Sequence, residues 1–169
     1  MATLEDRIRK LEDRAEIQDL AARYFLATDD DDYSTLSQCF TSNIRFSASG
    51  FEDSKGRDSV LAFLKQARAG MGQTVHTIDY AHVKLVDAYT ATGIVTAHLE
   101  LGMGATTYFA AVRYIDEYAR EDGFWRIASR QMRAVHVSPW SDVAQSLVGN
   151  ENVCWPGSDP MPSELPRTD

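Results

Sequence analysis

The sequence predicts an α+β domain in which amino-terminal helices pack inside a strongly curved, mostly antiparallel β-sheet that encloses a pocket. Two observations predict it. Apolar residues recur at helical spacing through the first 64 positions, and beyond Gly72 the period changes to the alternation of long strands. Helices first and a meander of strands afterwards place one sheet face against the helices, and the concave side of such a sheet is a natural ligand cavity.

Leu4, Ile8, Leu11 and Ala15, continued by Ile17, Leu20, Tyr24 and Phe25, predict a first helix over residues 3–28. Its front half carries alternating charges and only a narrow apolar seam, which can pack on the parent domain or on a second subunit. The acidic run Asp29-Asp30-Asp31-Asp32 follows, and one of these aspartates can cap a second helix through Tyr33, Leu36 and Phe40. Ile44 and Phe46 alternate like a short strand. Gly56-Arg57-Asp58 reads as a turn and cap before a third helix through Val60, Leu61, Phe63 and Leu64 that ends near Gly70 and Gly72. Four β segments are expected at 74–86, 91–103, 105–119 and 124–137, with connections short enough to make neighbours antiparallel. Past Trp140 the pattern fades, which divides the chain into a domain over 1–140 and an extension over 141–169. Residues 156–169 hold four of the five prolines and are expected to be partly flexible, while Val143, Leu147, Val148 and Trp155 can fold back as a lid or reach a neighbouring subunit.

Composition narrows the function. A chain of 169 residues with 44% hydrophobic content fits one domain with a substantial core. Its net charge of -8 argues against nucleic acid and against an anionic membrane surface. Two distant cysteines, Cys39 and Cys154, give neither a disulfide framework nor a zinc site, so no metal is expected. The opening MATLEDRIRKLEDR lacks the apolar core of a signal peptide, and a cytoplasmic location is expected. No G-x-G-x-x-G, G-x-x-x-x-G-K-[ST], H-E-x-x-H or G-x-S-x-G occurs, and no cofactor is expected.

Three polar residues stand where the pocket wall is expected: Tyr24, Asp29 and His76. A carboxylate is unfavourable at a helix C-terminus by roughly 0.3–1 kcal/mol, so four aspartates there need an explanation. Solvation and capping account for three of them. An Asp29 hydrogen bond to Nδ1 of His76 would fix the imidazole tautomer and leave Nε2 as a general base. The plainer alternative for His76 is a core histidine bonded to a backbone carbonyl. Tyr24 can donate its phenolic proton to a substrate oxygen, or can simply fill the core face of the helix. It stands five residues before Asp29, about 140° around a regular helix, so both face one pocket only if the helix loosens or ends between them. His98 lies mid-strand, where a buried imidazole needs a partner or a ligand. Arg130 on the last strand can hold a developing oxyanion or pair with a carboxylate. His82 shares strand parity with His76 but is expected to face outward, and His136 and Trp140 read as packing or lid residues.

Glu16-Ile17-Gln18-Asp19-Leu20 with Tyr24 and Asp29, Val75-His76, and Asp122-Gly123-Phe124-Trp125-Arg126-Ile127 leading to Arg130 together resemble the SnoaL-like branch of the NTF2-like superfamily over about residues 3–140. Within it the chain is similar to the cofactor-free eliminating enzymes: scytalone dehydratase, bile acid 7α-dehydratase and hexachlorocyclohexane dehydrochlorinase. The resemblance implies a cone fold, an Asp29–His76 catalytic pair with Tyr24 as the dehydratases' tyrosine, and Arg130, His98 and Tyr80 as substrate contacts. Where the family usually has an asparagine shortly after the pocket histidine, this chain has Asp79-Tyr80. The implied activity is a dehydratase-type lyase on a mostly apolar ring compound, in a homodimer or homotrimer. A ketosteroid-isomerase-like or polyketide-cyclase-like reaction and a non-catalytic binding or assembly module are the alternatives.

Overall fold

A computed structural model describes residues 3–165. The first helix, α1 (Leu4–Asp29), opens on a capping box in which the Thr3 hydroxyl accepts from the Asp6 amide and the Asp6 carboxylate accepts from the Thr3 amide. Ile17, Leu20, Ala21, Tyr24 and Phe25 are buried, whereas Leu4, Ile8 and Leu11 are 69%, 46% and 65% exposed. The front seam of α1 therefore does not pack on the parent domain. Asp32 caps α2 (Tyr33–Cys39), accepting from the Thr35 amide. The third helix, α3 (Arg57–Arg68), starts behind Gly56, whose φ of 87° carries the turn; Asp58 lies inside the first turn and is not the cap.

Six strands form one sheet in the order β2-β1-β6-β5-β4-β3. They are β1 (Phe40–Ala48), the two-residue β2 (Ser54–Lys55), β3 (Met71–Leu85), β4 (Thr90–Met103), β5 (Thr106–Glu121) and β6 (Phe124–Pro139). The four long strands pair antiparallel with their sequence neighbours, as their short connections require. β1 pairs parallel to β6, although β2, α3 and the strands β3 to β5 separate the two in sequence. β3 carries a bulge between Ile78 and Tyr80, which sets Asp79 out of the ladder with β4. Its consequence is a reversal of parity along the strand: His76 faces the helices and His82 faces away.

Two buried ionic contacts brace the core; the first ties α1 to the sheet and the second joins β5 to β6. Asp13, 5% exposed despite its place in the charged front half of α1, accepts from the Arg120 guanidinium and, at 3.0 Å, from the Trp125 indole. Deeper in, Arg130 and Asp116 form a bidentate pair at 2.9 and 2.7 Å with both side chains fully buried. Tyr118 donates to the same carboxylate at 2.7 Å. Gly93 makes room for that tyrosine, since a Cβ there would stand 3.0 Å from its ring and 2.9 Å from the His82 carbonyl.

The carboxyl-terminal extension is docked through Leu165. After a 3₁₀ turn (Trp140–Gln145), Val153 bridges Val137 and Met161, and Glu164 exchanges hydrogen bonds with the Ala134 backbone through its own amide and carboxylate. It occupies the β6 edge that β1 leaves open beyond Met132. Within the stretch 156–169 expected to be partly flexible, Met161 and Glu164 pair with the rest of the domain; residues 166–169 lie outside the described residues. Leu147 and Val148 stay 60% and 82% exposed, so the expected fold-back rests on Trp155. Among the described residues no helix is long and apolar enough to cross a membrane.

Breaking the Arg130–Asp116 pair from one side leaves a buried charge uncompensated. Arg130→Met is expected to cost about 3–5 kcal/mol in urea unfolding, and adding Asp116→Leu to recover part of that loss.

Candidate active site

Asp29 is the last residue of α1, where the helix carbonyls oppose a negative charge. Three donors from β3 offset that field. The Thr74 hydroxyl donates to Oδ1 at 2.7 Å, the His76 amide to Oδ2 at 2.8 Å, and His76 Nδ1 lies 2.6 Å from Oδ1. Burial pushes the Asp29 carboxyl upward, but hydrogen bonds from His76 and Thr74 outweigh it and hold the group below its ordinary value. An ionised carboxylate only accepts, so Nδ1 carries a proton, and in the neutral imidazole Nε2 then presents a lone pair. The imidazole is 8% exposed and lies stacked on Phe25, with centroids 5.1 Å apart.

His76 and Tyr24 line one cavity of about 100 Å³. Its walls are mainly apolar, with Phe46, Phe63, Leu99, Tyr114 and Met132 around the polar pair. Phe51 and Trp155, 6.1 Å apart, border its outer side, and Phe51 is 44% exposed there. A larger hollow of about 740 Å³ lies on the solvent side of α1, bordered by Asp19, Arg23, Asp30, Asp32 and Arg126; it contains neither His76 nor Tyr24. An imidazole and a phenol come together on the smaller cavity of the two.

Tyr24 is 3% exposed, edge-on to Phe25 and Phe40, with the Arg130 guanidinium 4.2 Å from its ring centroid. Burial raises its pKa against the pull of Arg130, so the phenol stays protonated. The helix does not loosen between Tyr24 and Asp29, and its regular geometry has a clear result. Tyr24 reaches the cavity directly, while Asp29 stands behind His76 and reaches it through the imidazole.

Three expected substrate contacts lie elsewhere. Arg130 does not line the cavity; it is fully buried beneath Tyr24 and Tyr114, at 4.2 and 4.6 Å from their rings, because Asp116 holds its charge there. Burial opposes its protonation, yet Asp116 more than compensates and raises its pKa. His98 pairs with Thr77 and alternates with the inward Ala97 and Leu99, so it sits on the outer sheet face. There its Nδ1 bonds Asp79 at 2.9 Å and its ring stacks on Phe109. Tyr80, 54% exposed, is turned to the same outer face by the bulge at Asp79. His136 and Trp140 pack around Phe109 on that face. Conversely, Thr74 and Arg68 line the cavity although nothing singled them out in the sequence. Thr74 had one available signal, its position two residues before His76 on the same strand face; Arg68 had none.

A sequence model of the SnoaL-like domain matches residues 9–131. The chain belongs to the SnoaL-like domain family. Its fold is NTF2-like: an NTF2-like protein with a cystatin-like fold from Novosphingobium aromaticivorans superposes with a TM-score of 0.66 at 26% identity, covering 88% of this chain and 99% of that one. A hexachlorocyclohexane dehydrochlorinase from Novosphingobium barchaimii matches with a TM-score of 0.74 at 22% identity over 80% of this chain and 94% of its own. A candidate scytalone dehydratase from Novosphingobium aromaticivorans gives 0.74 at 16% identity, over 79% and 91%. At these last two identities the likeness is one of fold. No curated protein matches the sequence.

The depressed Asp29 pKa carries a sign for stability. Its contribution is complete above the unfolded carboxylate value of 3.8 and is lost as pH falls through the lower folded value. The stability gap between the native protein and Asp29→Asn, from urea unfolding, is therefore expected to shrink from about pH 5 toward about pH 2. A gap that widens on acidification contradicts the assignment.

Proposed function

We propose that this protein is a cofactor-independent lyase that eliminates water, or a comparable leaving group, from a compact, mostly apolar cyclic molecule. The observation that carries the reading is the His76 imidazole, held by Asp29 through Nδ1, on the wall of an apolar cavity that it shares with the neutral Tyr24 phenol.

In this reading Nε2 of His76 takes a proton from carbon next to an activating group, and the C–H electron pair becomes the new double bond. The C–O bond breaks on the neighbouring carbon, and the departing hydroxide takes a proton from the Tyr24 hydroxyl to leave as water. The resulting tyrosinate is reprotonated from the imidazolium, which returns both groups to their starting state. Asp29 stabilises the imidazolium while it exists. Each acid-base group supplies about 10²–10⁴-fold, and positioning in a water-poor cavity supplies the remainder. The fold relatives that carry dehydrochlorinase and dehydratase names support an elimination over other uses of the same base.

His76→Ala and Asp29→Asn are expected to lose about 10²–10⁴-fold in kcat, and Tyr24→Phe about 10²-fold, while circular dichroism stays native. Near-normal turnover in either dyad variant refutes the reading. Product mass separates the reaction classes: loss of water marks elimination, whereas an unchanged mass marks an isomerase or a cyclase. Saturable ligand binding that persists in His76→Ala, with no turnover by the native protein, marks a binding module.

We also propose that the chain self-associates through the outer sheet face. Tyr80 and Trp140 are 54% and 56% exposed there, and the neighbouring Thr96 hydroxyl and His136 Nδ1 are buried without partners. Sedimentation is expected to give a dimer or trimer that Tyr80→Glu weakens; a native monomer at micromolar concentration overturns this.

A further inference from the structure

The contacts that hold His76 continue past Asp29. The Thr74 hydroxyl, which donates to Asp29 Oδ1, itself accepts from Arg68 Nη1 at 2.7 Å. Arg68 is gripped from its other side by Asp31, with Nε on Oδ1 at 2.9 Å and Nη2 on Oδ2 at 3.1 Å. Tyr33 adds a hydroxyl to Asp31 Oδ1 at 3.1 Å. The line runs unbroken from Asp31 through Arg68, Thr74 and Asp29 to His76.

We propose that Arg68, acting through the Thr74 hydroxyl, is the positioning residue that locks the Asp29 carboxylate and with it the tautomer and ring orientation of His76. The inference deepens the functional reading above and rests on Asp29–His76 as its base. A threonine hydroxyl owns one proton and rotates freely unless something occupies its lone pairs. Arg68 occupies one, and the proton is left to face Asp29. Without that contact the hydroxyl is free to turn to a backbone carbonyl, the usual competitor for such groups. Asp29 would then keep only the two donors of His76, at a helix end whose dipole favours swinging the carboxylate toward solvent.

The role calls for arginine in particular. All three guanidinium nitrogens are engaged, and their planar fork fixes the angle between Asp31 and Thr74, which a lysine ammonium does not. Asp31 reaches this position through a φ of 54°, a left-handed conformation that aspartate tolerates better than most residues. Arg68 also borders the cavity, yet it is not built to receive an anionic substrate. Asp31 offsets its charge, and Asp29 adds a second carboxylate nearby.

The test reads the free protein, without turnover, so it succeeds or fails separately from the elimination itself. His76 Nδ1–H is expected to give a strongly downfield proton resonance, assigned among the four histidines by its loss in His76→Gln. Arg68→Met and Thr74→Val are each expected to move it upfield and to speed its exchange with water about tenfold, the effect of losing one hydrogen bond. Arg68→Lys is expected to behave like Arg68→Met. The decisive result is the double variant Arg68→Met/Thr74→Val, which is expected to be no worse than Thr74→Val alone. An unchanged resonance in Arg68→Met, or additive effects in the double variant, overturns the proposal and leaves Arg68 as a structural tie between α3 and the α1–α2 turn. Asp31→Asn loosens the fork while keeping the arginine; it gives a smaller shift in the same direction if the line operates, and none if it does not.

Discussion

The Asp29 carboxylate is the contact on which the rest of the site depends. It stands at the end of a 26-residue helix and takes its donors from a strand that begins 42 residues later, at Met71. Docking of α1 into the sheet and alignment of the imidazole are therefore one event. Because His76 offers both its backbone amide and its ring nitrogen, the two oxygens of Asp29 read the strand register as well as the side chain. A one-residue slip of β3 would exchange His76 for Val75 or Thr77 and destroy both bonds together. The helix dipole, unfavourable to the charge, is offset by these hydrogen bonds, which are stronger for being partly shielded from water.

A second buried charge supports the other half of the site. Arg130 lies between Tyr24 and Tyr114, and its guanidinium faces both rings. In a buried setting such a contact holds aromatic rings in place as effectively as packing does. It also gives Tyr24 an electrostatic neighbour that opposes the effect of burial without overcoming it, so the hydroxyl remains a donor and not an anion. Asp116 and Tyr118 exist in this scheme to keep Arg130 where it is. An arginine of that role is compatible with chemistry at Tyr24 while never touching a substrate.

The acidic run shows where sequence reasoning worked and where it stopped. Capping by one aspartate was legible, and Asp32 provides it, because the run ends where the Tyr33–Leu36 spacing begins. The pairing of Asp29 with His76 came from family resemblance and not from spacing, since 47 residues separate them. Asp31 was read as solvated; its partner, Arg68, sits on the last turn of α3, and only tertiary packing brings the two together. Strand periodicity breaks at bulges, and the one in β3 matters most for the site. Alternation assigns His76 and His82 to the same face, and a single extra residue at Asp79 inverts everything after it, including Tyr80. His98 was misplaced because a half-buried histidine on an outer face, bonded to the bulged Asp79, has the same sequence signature as one on the inner face.

The cavity itself is small. About 100 Å³ is well below the roughly 300–1,000 Å³ of sites that hold drug-sized ligands. Most of the cone is therefore filled by its own side chains. Trp155 contributes to that closure from a segment joined to β6 by hydrogen bonds from the Val137 and Cys154 amides, each 2.9 Å, at the edge of the sheet. Segments at a sheet edge open locally at lower cost than central strands do. In the proposed reaction, a substrate larger than the cavity would enter by displacing Trp155 or Phe51, which line it. Such an order of events would suit the cofactor-independent chemistry proposed for the imidazole and the phenol. Proton abstraction from carbon gains most when water is excluded, so the proposed reaction would profit if these side chains covered a bound substrate before the proton moved.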